Sequence, residues 1–164
     1  MTTINFSGAV QFSRQITGRP TPKVKGCTMN YELNRTARPS ILVVEDFQPL
    51  RSSVVQWLQV RFPGCIVQGV DSGERALEHA SNARPDVVLM DISLPGIDGL
   101  EAAQRLKAQA PDTAVVMLTT YDTPSHRRAA ANAGAAGYVA KHDMETQLES
   151  TVQHLLGPDA RRSS

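Results

Sequence analysis

The pattern of apolar and polar positions divides the chain near residue 40. Before that point no period of 3.6 or 2 is sustained, and Gly8, Gly18, Pro20, Pro22 and Gly26 interrupt the stretch. After it, short apolar runs stand at 41–44, 87–90, 114–118 and 138–140, with a weaker run at 65–70. Their length and β-branched content predict strands, and their continuous apolarity predicts a sheet buried on both faces. Five helical patterns lie between and after them. Pro49 suits the first turn of a helix running to about Phe62, with Leu50, Val54, Trp57 and Leu58 on one side. Asp71 and Glu74 resemble a capping box opening a second helix through Ala80. A third spans 100–109 and is stopped by Pro111; a fourth spans 124–133, with Gly134 as its C′ residue. Met144, Leu148, Val152 and Leu155 mark a fifth.

This alternation is (βα)5. It predicts an α/β fold with a doubly wound parallel sheet and right-handed crossovers that put helices on both faces. The expected organisation is a disordered basic extension at 1–38, one domain at 39–157 and a short tail at 158–164. Met29, just before the patterned region, is a second candidate start.

Composition sharpens this picture in three places. The 164 residues and 41% hydrophobic content suit one globular domain with spare length. Net charge is +1, but residues 1–40 carry six basic groups against one acid, and the remainder eleven against fifteen. A solvated basic tail beside an acidic domain explains this; the basic groups are too dilute to favour a nucleic-acid-binding arm. Cys27 and Cys65 fall in no metal-binding spacing, so Cys65 is expected as a small buried apolar residue. No apolar run approaches the span of a bilayer and no secretory leader is visible, so the cytoplasm is the expected compartment.

The chemistry lies where the strands end. The first strand runs into Glu45 and Asp46, the third into Asp91, the fourth ends in Thr119, and Lys141 follows the fifth. In an open parallel sheet these ends share one edge, where ligands bind. Taken singly, each residue has an ordinary explanation. Glu45 or Asp46 could start a helix, Asp91 could make a turn before Pro95 and Gly96, Thr119 could be a plain strand residue, and Lys141 could be solvated. Together they point to one cleft. Two carboxylates at about 4 Å repel by roughly 4 kcal/mol at an effective dielectric of 20. Such a cluster needs a raised pKa or a cation, and oxygen ligands beside a phosphate favour Mg²⁺ over zinc.

These segments resemble the response-regulator receiver domain of two-component signalling, over about residues 40–156. The resemblance is carried by Ile41-Leu-Val-Val-Glu-Asp46, by Val87-Val-Leu-Met-Asp-Ile-Ser-Leu-Pro-Gly-Ile-Asp-Gly99, by Val115-Val-Met-Leu-Thr119 and by Gly134-Ala-Ala-Gly-Tyr-Val-Ala-Lys141. Thr119 precedes Tyr138 by nineteen residues, and Tyr138 precedes Lys141 by three. The wording is most similar to receivers of LuxR/NarL-type regulators. The resemblance implies a flavodoxin-like sheet of order 2-1-3-4-5. It implies Asp91 as phosphoacceptor, and Mg²⁺ held by Glu45, Asp46, Asp91 and the backbone carbonyl of Ser93. Thr119 and Lys141 would bind the phosphoryl group, and Thr119 and Tyr138 would form the switch. It implies a sensor histidine kinase or histidine phosphotransfer protein as donor. It also implies output through the fourth helix, fifth strand and fifth helix, with phosphorylation-linked homodimerisation as one form. Such a chain modifies itself and turns over no external substrate.

His142 stands where many receivers have proline, and residues 1–38 have no counterpart in the family. About eight residues follow Leu156, too few for a helix-turn-helix output domain, so the expected output is through protein contacts and neither DNA nor membrane is an expected partner. The alternative is a truncated DNA-binding regulator, or one assisted by its basic N-terminal arm. An aspartyl-phosphate phosphatase of the haloacid dehalogenase type is disfavoured, because Asp91 is followed by Ile92 and Ser93 rather than by the Asp-x-Asp pattern. No phosphate-binding glycine loop of the P-loop or dinucleotide type is present. His126, Arg127 and Arg128 are expected on a solvated helix face.

Overall fold

The computed structural model describes residues 38–157. The extension and tail expected at the two ends fall almost wholly outside the described residues. Arg38 is described: its guanidinium donates to the carbonyls of Pro63 at 2.7 Å and Gly64 at 3.1 Å, which ties the chain down just before the first strand.

Five strands alternate with five helices. The strands are β1 (Ser40–Val44), β2 (Ile66–Val70), β3 (Val87–Asp91), β4 (Ala114–Thr119) and β5 (Gly137–Ala140). The helices are α1 (Gln48–Arg61), α2 (Gly73–Ala83), α3 (Gly99–Gln109), α4 (Pro124–Asn132) and α5 (Met144–Leu156), the last preceded by a 3₁₀ turn, Lys141–Asp143. All strand pairs are parallel, and the sheet order is β2-β1-β3-β4-β5, as expected.

The sheet is covered on both faces because its central strands β1, β3 and β4 are apolar along their lengths, with polar residues only at their ends. On β1, Ile41 and Val43 face one side and Leu42 and Val44 the other, following the two-residue period of a strand. The first side packs against Val54 and Leu58 of α1 and Leu148, Val152 and Leu156 of α5. The second packs against small residues, Ala76 and Ala80 of α2, Ala102 and Ala103 of α3, and Ala130 of α4. Cys65 is buried, as expected, at 6% exposure. Gly134, at φ +82°, ends α4 in the left-handed conformation that its lack of Cβ permits.

One local expectation fails. The cap of α2 is Ser72, whose hydroxyl accepts from Arg75 N–H, and not Asp71. Gly73 is the first helical residue, so Asp71 lies one position too early to cap. Its carboxylate pairs with Arg75 instead, at 3.1 Å. Glu74 does not close a capping box either; it reaches across to accept from Ile97 N–H at 3.0 Å, bracing the loop after β3. That bond holds the Glu74 carboxyl below its ordinary pKa. The helix also runs three residues further than expected, to Ala83.

Among the described residues, no helix is long and apolar enough to cross a membrane.

Candidate functional site

Because all five strands run the same way, their C-terminal ends meet at one edge. Glu45 follows the last residue of β1 and is anchored there by its N–H, which donates to the carbonyl of Val70 at 3.1 Å. Asp91 is the last residue of β3, and Thr119 the last of β4. Lys141 follows β5 and starts the 3₁₀ turn. Glu45 and Asp91 are buried, at 2% and 3% exposure, whereas Asp46 is exposed.

The carboxylates of Glu45, Asp46 and Asp91 converge: one oxygen from each lies within 4.8 Å of the others. Lys141 Nζ stands between the two buried acids, 2.9 Å from Asp91 Oδ2 and 2.8 Å from Glu45 Oε2. The contact to Asp91 is a hydrogen bond. The contact to Glu45 is a close ion pair between the ammonium and a buried carboxylate oxygen. Burial raises the Glu45 pKa, Lys141 pulls against it, and the nearby Asp91 charge raises it further. Burial by itself would lower the Lys141 pKa, but its bonds to Glu45 and Asp91 more than offset that and hold it above the ordinary lysine value.

The loop after Asp91 wraps closely around it. Ser93 N–H donates to Asp91 Oδ1 at 3.3 Å, and Gly99 N–H donates to the carbonyl of Ile92 at 3.0 Å. A Cβ on Gly99 would collide with the carbonyl oxygen of Asp91, so only glycine lets α3 start this close to the site.

Thr119 and Tyr138 form a second group beside the first. The Thr119 hydroxyl accepts from Tyr121 N–H at 3.0 Å and contacts the Tyr121 carbonyl at 3.2 Å. The Tyr138 hydroxyl donates to that same carbonyl at 2.7 Å. Burial raises the Tyr138 pKa, and the Thr119 hydroxyl pulls the other way. Of the α4 residues expected to face solvent, Arg127 and Arg128 are exposed and His126 is half-buried. Arg127 pairs with both oxygens of Asp122, at 2.6 and 2.7 Å, and its guanidinium lies 4.8 Å from the Tyr138 ring centroid. His126 stacks on Tyr121, with centroids 5.9 Å apart. Arg128 remains exposed.

The arrangement brings four expected residues, Glu45, Asp46, Asp91 and Lys141, into one cluster, with the Ser93 backbone against it. Thr119 and Tyr138 meet each other at the Tyr121 carbonyl. Two buried acids, one exposed acid and one ammonium on the C-terminal edge of a 2-1-3-4-5 sheet suit the acceptance of a phosphoryl group and a hard cation.

Comparisons with known proteins show the family and the fold. Residues 41–153 match the family model described as the response regulator receiver domain. The chain belongs to the response regulator receiver family. It is 40% identical over 101 residues to the response regulator GacA of Pseudomonas viridiflava, covering 62% of this chain and 47% of that protein. It is 35% identical over 127 residues to the response regulator MprA of Mycobacterium sp. (strain KMS), covering 73% and 54%. This receiver chain thus spans about half the length of the curated relatives it matches. Among solved structures, it matches a LuxR-family DNA-binding response regulator from Staphylococcus aureus with TM-score 0.67 and 25% identity, covering 73% of this chain and 99% of that one. The chemotaxis protein CheY4 of Vibrio cholerae matches with TM-score 0.62 and 29% identity, covering 73% and 97%. The protein is therefore a receiver of two-component signalling, with the fold inferred from its strand pattern.

Sequence reasoning missed Arg51, which donates to the carbonyls of Glu45 and Asp46. A signal was present. Arg51 sits in the first turn of α1, where the helix dipole disfavours a cation, so a compensating partner was to be expected. The Asp122–Arg127–Tyr138 group was also missed, and no spacing rule singles it out.

Proposed function

We propose that this receiver accepts a phosphoryl group on Asp91 from a phosphohistidine donor, a sensor histidine kinase or a histidine phosphotransfer protein. The observation that carries this reading is the buried Asp91 carboxylate, held by Lys141 and facing Glu45 and Asp46 at a strand-end edge. An Asp91 oxygen attacks phosphorus, a P–O bond forms, and the P–N bond to the donor imidazole breaks. Its electron pair stays on the imidazole nitrogen. The chain is its own substrate and turns over no other.

The donor set fits Mg²⁺. It offers only oxygen, and Glu45, Asp46 and Asp91 each bring a carboxylate oxygen within 4.8 Å of the others. Glu45, Asp46 and Asp91 would hold the ion, with the Ser93 carbonyl as a further ligand. Bound there, Mg²⁺ would neutralise charge on the phosphoryl oxygens. Lys141, relieved of balancing two acids by itself, would turn to one phosphoryl oxygen. Thr119 would give up its bonds to Tyr121 for another. The Tyr121 carbonyl would then lose one of its two hydroxyl partners, and Tyr138 would change its position on the β5 surface. Output through α4, β5 and α5, by a partner protein or a second copy of the chain, follows from that movement. We take residues 39–157 as the receiver unit.

The test is incubation with acetyl phosphate and Mg²⁺, read by intact mass. The wild type is expected to gain one phosphoryl group; Asp91→Ala, or the wild type without Mg²⁺, is expected to gain none. A wild type that stays unmodified, even with a cognate kinase, would end this reading.

A further inference from the structure

Arg51 takes no part in the chemistry above, and its location is locally unfavourable. It lies in the first turn of α1, which contains no acidic side chain to balance it. Its Nη1 atom donates to the carbonyl of Glu45 at 2.6 Å and to that of Asp46 at 3.1 Å. These two carbonyls belong to the two peptide planes that flank the Asp46 Cα. Because peptide planes are rigid, fixing both of them fixes the backbone dihedrals of Asp46. Glu45 is already held by burial and by its bond to Val70. Asp46 is exposed and lies outside the strand, so it has no such support.

The stem of Arg51 is seated with equal care. It lies over Gly69 of β2, where a Cβ would stand 3.0 Å from Arg51 Cγ and 3.2 Å from Cδ. Glycine weakens a strand unless another group needs to approach its backbone closely. Here that group is the aliphatic stem that delivers the guanidinium to the acidic loop.

We propose that Arg51, seated on Gly69, is a positioning residue that orients Asp46 toward Asp91 and thereby sets the divalent-cation affinity of the site. The inference rests on the cation-binding reading above. Its sign separates it from a simple charge effect. A cation beside the acidic loop repels Mg²⁺, so deleting Arg51 would tighten binding if charge were its only contribution. A positioning role requires the opposite.

The experiment measures Mg²⁺ affinity of the full chain by titration calorimetry at about 0.15 M and about 1 M salt, the higher value screening the charge effect. Melting temperatures are recorded alongside, without divalent cation. Arg51→Met keeps the stem and removes the donors; it is expected to weaken Mg²⁺ binding about 10-fold at high salt, as loss of an outer-shell support does. Arg51→Lys keeps the charge and a nitrogen donor but on a shorter side chain, and is expected to weaken binding to a lesser extent. Gly69→Ala keeps every donor but crowds the Arg51 stem, along with Val55 Cγ2 at 3.2 Å from the added Cβ; about a two-fold weakening of Mg²⁺ binding is expected. Arg51→Met binding Mg²⁺ as tightly as the wild type, or more tightly, overturns the inference and leaves the phosphoacceptor reading standing. If Arg51→Met does not fold, Arg51→Lys and Gly69→Ala decide by the same criterion. A wild type that binds no Mg²⁺ overturns both.

Discussion

The two ends of the reactive edge are built on different physical terms. At β1 and β3, Glu45 and Asp91 are buried charges balanced by one ammonium, and each is fixed by a strand. At the β4–α4 loop and the first turn of α4, Asp122 and Arg127 are surface charges, and Tyr138 leans on a loop carbonyl. Buried charges cost a great deal when a partner is lost, whereas surface pairs are screened and nearly neutral. The acidic corner is therefore rigid and sensitive to pH, and the loop is free to rearrange at little cost. A site that must hold its nucleophile still while moving its reporter needs both kinds of construction.

Four substitutions probe that contrast, all without divalent cation. Lys141→Met strands two buried acids; a loss of roughly 3 kcal/mol is expected from urea unfolding at pH 7.5, the low end for a buried pair because Lys141 keeps some solvent contact. The loss should shrink toward pH 4, as Glu45 takes up a proton.

Glu45→Gln tests the same corner by its pH dependence. The folded pKa of Glu45 is raised, chiefly by burial. Its contribution is thus fully present below the ordinary carboxylate range and is lost as pH rises through the raised value. Relative to the wild type, Glu45→Gln should gain stability with rising pH across that window. A wild-type-minus-mutant difference that is flat with pH would contradict the assignment.

Thr119→Val removes the acceptor for Tyr121 N–H, and a loss of about 1 kcal/mol is expected by the same unfolding measurement. Arg127→Met has the smallest expected effect, a melting shift too small to resolve. Amide hydrogen exchange across residues 120–123 should nonetheless quicken, since the Asp122 anchor is gone. Were Arg127→Met as costly as Lys141→Met, the contrast between the two corners would fail.

The strand-end residues were legible because a parallel sheet converts sequence order into spatial neighbourhood. Glu45, Asp91 and Lys141 lie far apart in the chain, yet each follows or ends an apolar run, and the fold does the rest. The α2 cap was misread because Asp71, Ser72 and Glu74 all suit a helix start, and only the first helical residue decides which one caps. Glu74 went instead to the loop at Ile97, a partner 23 residues away that no local rule could select.

Hydrophobic period and strand-end polarity by themselves determined the alternating α/β fold and the gathering of Glu45, Asp46, Asp91, Thr119 and Lys141 at one edge, because those depend on patterns repeated along the chain; the family and the order 2-1-3-4-5 came with the resemblance of particular motifs. The tertiary structure alone decided that Lys141 bridges Glu45 and Asp91, that Thr119 and Tyr138 share the Tyr121 carbonyl, and that Arg51 reaches the acidic loop over a bare Gly69. Those contacts depend on side-chain direction and close approach between elements, and neither is written in the order of the residues.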